Sequence, residues 1–286
     1  MKIVRIAQSG FTIIEIAIVL LIVTILLGYT VAMFPIQQEL KQYGQVNSEM
    51  EKIKDALIGF AQINGRLPCP DTSGDINETG IFGVIDGQAD TDDLIINATG
   101  ALAPSTDDVI DNCKAYFGFL PSATLGMNGD INVDGQLQDP WGEPYRYHIS
   151  NVTTAGFPAI DLVSPNGIRE EGLIAVTPDL NICTTSLNAS STNLICGEAG
   201  VEGKNVVTGV AVVIISTGKD RNTELLVDDN SPIQIENLDG FHNGTLDKVY
   251  TASTRSDVNN AKYDDVVKWI STNQLFTKMI EADQLP

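Results

Sequence analysis

From Phe11 to Phe34 the chain runs for 24 residues with a single charged side chain, Glu15. No other feature limits its possible folds so tightly. As a helix rising about 1.5 Å per residue, the run is roughly 36 Å long, enough to cross a bilayer core of about 30 Å with some tilt. Lys2 and Arg5 precede it, and no further basic residue occurs before Lys41. The positive-inside rule then keeps the amino end in the cytoplasm and sends the carboxyl end outward. A secretory signal has its small-x-small cleavage pattern after the apolar stretch. Here no such pattern follows Phe34, and the small residue stands before the run, at Gly10.

A carboxylate in a membrane helix costs about 2.5–3.5 kcal/mol near the centre, and less near an end. Glu15 therefore needs a cation, yet its own segment holds no Lys, Arg or His. Cleavage after Gly10 would create one, the amine of Phe11. The run Gly10-Phe11-Thr12-Ile13-Ile14-Glu15 behind a basic leader resembles the processing motif of type IV pilins and type II secretion pseudopilins. The resemblance implies that a prepilin peptidase cuts after Gly10 and methylates Phe11. It also implies that Glu15 guides docking and register by pairing with a neighbouring subunit's amine. Without it, the same residues describe a bitopic anchor whose Glu15 snorkels to the interface.

Beyond the apolar run, Ile36, Leu40, Tyr43, Val46, Met50, Ile53, Leu57 and Phe60 recur at spacings of three and four, the stripe of an amphipathic helix. Pro35 is expected to kink this helix and Gly44 to weaken it, while Asn64-Gly65 followed by Pro68 marks its end. The chain divides accordingly into a leader (1–10), a transmembrane or filament-core helix (11–34), an amphipathic continuation (35–65) and a globular head (66–286). Strands are expected over Glu143–Ser150, Ile160–Val163, Gly172–Thr177, Val206–Ser216 and Lys248–Ala252, with Val210–Ile215 the buried centre. Ser271 opens a Ser-x-x-Gln capping box, and Leu275, Phe276, Met279 and Ile280 follow at helical spacing. The expected fold is α+β and pilin-like: a long amino-terminal helix packed on an antiparallel sheet with long loops.

All four cysteines, Cys69, Cys113, Cys183 and Cys196, fall in the head. They allow three pairings. The sequential one, Cys69–Cys113 and Cys183–Cys196, is expected, because it ties the helix exit to the head and closes a small polar loop. Two disulfides suit an oxidising periplasm or cell surface. With no Cys-x-x-Cys spacing, zinc is disfavoured.

Asp130-Ile131-Asn132-Val133-Asp134-Gly135 fits the start of a calcium loop, with oxygen ligands at alternate positions and a glycine for the turn. The glutamate that would complete an EF-hand is replaced by Trp141, leaving Asp139 or another segment to supply oxygens. A second candidate rests on resemblance. Asp139-Pro140-Trp141-Gly142 looks like a segment of major pseudopilins, in which a later loop binds calcium. Ser216-Thr217-Gly218-Lys219-Asp220 and Asp264-Asp265-Val266-Val267-Lys268-Trp269 resemble the two sides of that loop, although more than forty residues separate them. Structural calcium is thus the one cofactor the sequence suggests, and none is required.

Seventeen basic against 37 acidic residues give a net charge of -20, which excludes nucleic acid as a natural partner. The two histidines, His148 and His242, sit beside no nucleophile motif, and no phosphate-binding loop occurs, so no enzyme is expected. Both histidines are assigned a surface role. The resemblance implies a pilin-like filament subunit, a minor pseudopilin of a type II secretion system, in the inner membrane with its head in the periplasm. Its implied partners are prepilin peptidase and other pilin or pseudopilin subunits. A minor type IV pilin for adhesion, motility or DNA uptake, or a bitopic binding module that never polymerises, are the alternatives.

Overall fold

The computed structural model describes residues 12–71, 94–96, 102–104, 113, 116–150, 162–163, 168–169, 177–184, 205–219, 237, 248–256 and 262–285, with backbone alone for 30–36, 94–96 and 102–104. The chain divides into two compact units, Met1–Gln45 and Val46–Pro286. One helix, α1 (Ile13–Asn64), contributes to both. It runs unbroken through Pro35 and Gly44. The expected end is met: Gly65 has φ 68° and donates its N–H to the Ala61 carbonyl at 2.8 Å, a left-handed cap that glycine adopts without a Cβ clash.

The second unit is built on a mixed sheet whose spine is β6 (Asn205–Ser216). Its neighbours are β4 (Arg146–Ile149), β5 (Leu180–Cys183) and β8 (Val266–Ser271); β3 (Phe117–Phe119) extends the sheet beyond β4, and β7 (Val249–Thr251) beyond β5. Val210 pairs with both Leu180 and Ser271, so β5 and β8 lie on opposite edges of β6. Val212–Ile215 pair with both β4 and β8. One edge of the spine therefore takes β4 and then β5, and the other takes β8 alone. Every pair in this sheet is antiparallel except β5 with β7, a departure from the fully antiparallel expectation. A separate two-stranded ribbon joins β1 (Leu94–Ile96) to β2 (Leu102–Pro104).

Val210–Ile215 are buried without exception, as the run of branched apolar residues requires. On one face of the sheet, Tyr147, Ile149, Val212, Ile214 and Ile270 share a core with Val46, Met50, Ile53, Leu57 and Ala61 of α1. The closing helix α2 (Thr272–Glu281) adds Leu275, Phe276 and Met279 to that core, while Ile280 stays exposed. Its Ser271 cap is present, with the Gln274 N–H donating to Ser271 Oγ at 3.2 Å. Each such side chain contributes about 1.5–3 kcal/mol by leaving water. Polar ties lie at the margin of the core: Tyr145 Oη donates to Glu49 Oε2 at 2.8 Å, and Glu51 takes Lys268 at 3.2 Å and Lys54 at 3.4 Å. Burial alone would raise the Glu51 carboxyl, but the two lysines outweigh it and hold it below the usual range.

Cys69 and Cys113 are bonded, with Cα atoms 5.3 Å apart, closing 44 residues of chain just past the helix exit. In the loop-entropy treatment a bridge of that span contributes about 4 kcal/mol. Cys183 is also disulfide-bonded; its expected partner, Cys196, lies outside the described residues. So do the strand expected over Gly172–Thr177, apart from Thr177, and residues 160 and 161 of the one expected over Ile160–Val163. Leu162 and Val163 are buried but form no strand.

Candidate functional site

Gly10 and Phe11 lie outside the described residues, and Glu15 opens the helix that follows. The Thr12 Oγ1 accepts from the Glu15 N–H at 3.3 Å, and Glu15 Oε2 accepts from the Thr12 N–H at 3.5 Å. These reciprocal bonds are a capping box, Thr-x-x-Glu, that satisfies two amides otherwise left bare at a helix start. The spacing was visible in the sequence, and it gives Glu15 a role within its own helix. Past it, the large apolar residues from Ile13 to Tyr29 are all exposed, from 41% at Val23 to 92% at Ile13. No helix is long and apolar enough to cross a membrane among the described residues.

In the head, the described segments of the second calcium candidate converge at the end of β6. The carboxylate of Asp139, 2% exposed, organises the Asp-Pro-Trp-Gly turn. Its Oδ1 accepts from the N–H groups of Trp141 (2.9 Å) and Glu143 (3.0 Å), and its Oδ2 accepts from Ser216 Oγ at 2.6 Å. Burial raises its carboxyl to about 6, with Glu49 adding to the rise and the hydrogen bonds opposing it. Both oxygens are thus committed to the turn and to Ser216, so Asp139 does not complete the Asp130 loop. One residue beyond Ser216, Thr217 is fully buried, and its Oγ1 has no hydrogen-bond partner among the described residues.

Gly218 follows at φ 69°, so close to the partner segment that a Cβ would lie 2.6 Å from Asp264 Cγ. The Lys219 N–H donates to Asp264 Oδ2 at 2.7 Å. The fold thus brings together the two segments that the sequence separates, Lys219 and Asp264 lying 45 positions apart. Asp265 turns away into a buried network: Asn237 Nδ2 donates to Asp265 Oδ2 (2.7 Å) and to the Thr251 carbonyl (3.0 Å), while Tyr263 Oη donates to the same carbonyl at 2.6 Å. Asp220, the remaining residue of that candidate, lies outside the described residues.

The Asp130 loop is a separate structure. Asn132 Oδ1 accepts from the N–H groups of Asp134 and Gln136, each at 2.9 Å, and its Nδ2 donates to Gln136 Oε1 at 3.0 Å. Asp130 is exposed. Among the described residues no group of three or more His, Cys, Asp or Glu side chains is placed to hold a metal ion. Asp71, Asp75 and Asn77 make a looser version of the same sequence pattern; Asp71 is buried, its backbone bridging Phe119, and Asp75 and Asn77 lie outside the described residues.

His242 lies outside the described residues, and the surface role assigned to His148 is overturned. It is 3% exposed, its Nδ1 bonded to Tyr250 Oη and its ring edge-on to Phe117 and Tyr250. Burial, helped by Lys248, lowers its pKa to about 3, so it stays neutral at ordinary pH. All four residues of β4 are buried, on both faces of the sheet; beside His148, Arg146 is buried against the Phe119 ring at 4.1 Å, and burial brings its pKa down to about 9. No protein-family model, curated protein or solved structure matches the chain.

Proposed function

We propose that the chain is a pilin-like filament subunit, a minor pseudopilin of a type II secretion system. In this reading it is cut after Gly10 by prepilin peptidase, methylated on Phe11, and held in the inner membrane with its head in the periplasm until assembly. One observation carries the reading: α1 is a single helix of 52 residues, apolar and exposed all round from Ile13 to Tyr29, yet buried on one stripe from Val46 to Ala61. A helix that is hydrophobic on every side needs a bilayer or a bundle around it. In a bundle of such helices, Glu15 of one subunit meets the new amine of another, which compensates a charge that is otherwise costly in an apolar medium.

The test is the mass of the amino terminus in protein from its native membrane. A chain starting at methylated Phe11 is expected. An intact Met1 in cells with active prepilin peptidase leaves a plain membrane anchor carrying a periplasmic head.

For the head, we propose a structural calcium between the Ser216–Lys219 turn and Asp264. The bare, buried Oγ1 of Thr217 supports it, since an oxygen without a hydrogen-bond donor is suited to a hard cation. Calcium at 100 times its dissociation constant should stabilise the head by about 2.7 kcal/mol, read as a rise in Tm that Asp264→Asn abolishes. An unmoved Tm rejects the site.

A further inference from the structure

Three strands of the main sheet present an outer edge, and two of those edges are closed. Beside β3, Asp71 exchanges both backbone hydrogen bonds with Phe119, at 2.9 and 2.7 Å. Beside β7, the side chain of Asn237 takes the place of a neighbouring strand: its Oδ1 accepts from the Thr251 N–H at 2.8 Å, and its Nδ2 donates to the Thr251 carbonyl at 3.0 Å. The third edge belongs to β8, which among the described strands pairs with β6 alone.

The ladder fixes which groups that edge presents. Ser150 donates its N–H to the Ala211 carbonyl, so Ala211, Val213 and Ile215 turn their backbone groups toward β4. Bonding direction alternates along an antiparallel strand. Val212, Ile214 and Ser216 therefore bond β8 through Ile270, Lys268 and Val266. The N–H and C=O groups of Val267 and Trp269 are left pointing outward. Sheets blunt such edges with short strands, prolines, bulges or charged side chains. β8 has six residues, Val-Val-Lys-Trp-Ile-Ser, with no proline. Its one charge, Lys268, is drawn onto the α1 face by Glu51.

We propose that the outer edge of β8 is a docking site for an extended segment of another protein, which adds a strand to the sheet through Val267 and Trp269. Charge selects the occupant. Pairing Val267 with Trp269 of a second copy would set Lys268 directly opposite Lys268, and like charges so placed are destabilising. Two chains of net charge -20 also repel as wholes. The occupant is accordingly a segment of a net-basic protein, uncharged where it faces Lys268.

Hydrogen exchange at single amides of the full chain in detergent tests this. The probe is a synthetic peptide, lysine-valine-threonine-valine-threonine-lysine, with a counterpart carrying glutamate for lysine. In the chain alone, the Val267 and Trp269 amides should exchange freely, while those of Lys268 and Ile270 are protected by β6. The basic peptide should slow the two free amides about tenfold or more, and the acidic one should not. Val267→Pro removes an outward donor while sparing the β6 ladder. It should abolish the slowing with Lys268 still protected; if Lys268 loses protection, the two peptides on the unaltered chain decide. Val267 and Trp269 amides as slow as Lys268 in the chain alone would overturn the proposal. So would equal slowing by both peptides, or slowing that follows protein concentration without peptide and thereby assigns the edge to a second copy.

Discussion

The two halves of α1 share one backbone geometry and differ in what surrounds them. From Val46 to Ala61, apolar side chains at spacings of three and four are buried, and the intervening positions carry Glu49, Glu51, Lys52, Lys54 and Asp55. From Ile13 to Tyr29 nearly every position is apolar and exposed. Neither half owes its environment to helix propensity. The outer half is shaped to cover one sheet; the inner half, apolar round its whole circumference, is shaped to be covered by many neighbours or by lipid. The same substitution should therefore have opposite consequences in the two halves.

A carboxylate is the sharpest such probe. Ile53→Asp buries a charge without a partner in the core of the head, and such changes cost about 4–5 kcal/mol or more, enough to unfold a domain of ordinary stability. The expected outcome is loss of the thermal transition of the head. Ile22→Asp should leave that transition where it is and instead abolish membrane retention or assembly. A head that melts alike in both variants breaks the distinction between the halves.

The next effect separates the head's internal chemistry from the helix. Asp139 has a folded-state pKa of about 6 against an ordinary 3.8, raised chiefly by burial. The folded head thus binds more protons than the unfolded chain between those values. Its contribution is fully present below about pH 4 and is lost as pH rises through 6. The shift of roughly two units corresponds to about 2–3 kcal/mol. Asp139→Asn keeps an acceptor for the Trp141 and Glu143 amides and removes the titration. The difference in stability between the parent and this variant should therefore change by about that amount between pH 4 and 7. His148 pulls the other way, losing stability as pH falls below 6.5, but it is common to both proteins and cancels. A difference that is flat with pH would show that the hydrogen bonds to Asp139 offset its burial.

Features set by local pattern were legible beforehand: the amphipathic stripe from Val46 to Leu57, the Gly65 stop, the Ser271 cap and the branched core of β6. Features set by distant partners were not. Val266–Ser271 was not among the expected strands, although it carries Val266, Val267, Trp269 and Ile270; six residues between an acidic pair and a helix cap show no clear period, and the strand is fixed by its pairing with β6. Residues 180–183 form β5 as a four-residue segment too short to show a period. Asp139 was marked only by its motif, and its role at the end of β6 depends on Ser216, 77 residues away. His148 was misjudged for the same reason, since its burial comes from Phe117 and Tyr250. The convergence of the 216–219 turn on Asp264 was anticipated by resemblance; the close approach of Gly218 supplies its physical basis.

The smallest expected effect on stability decides the most about the inner half. Glu15 has two candidate roles, a capping-box partner for Thr12 within its own helix and a counter-charge for the amine of a neighbouring subunit. Glu15→Ala removes both. Glu15→Gln keeps the cap, because a glutamine amide oxygen accepts the same N–H, and removes the charge. If the carboxylate serves the cap alone, alanine should cost about 1 kcal/mol at the helix start and glutamine much less, with filaments following helix stability. If it pairs with an amine, both variants should be cut after Gly10 and both should fail to assemble, since an uncharged acceptor offers an ammonium far less than a carboxylate in an apolar medium. Counting assembled filaments for the glutamine variant, with processing checked by mass, separates the two. Normal assembly of Glu15→Gln would make the residue a helix cap, and the bundle would then rest on the apolar surface from Ile13 to Tyr29.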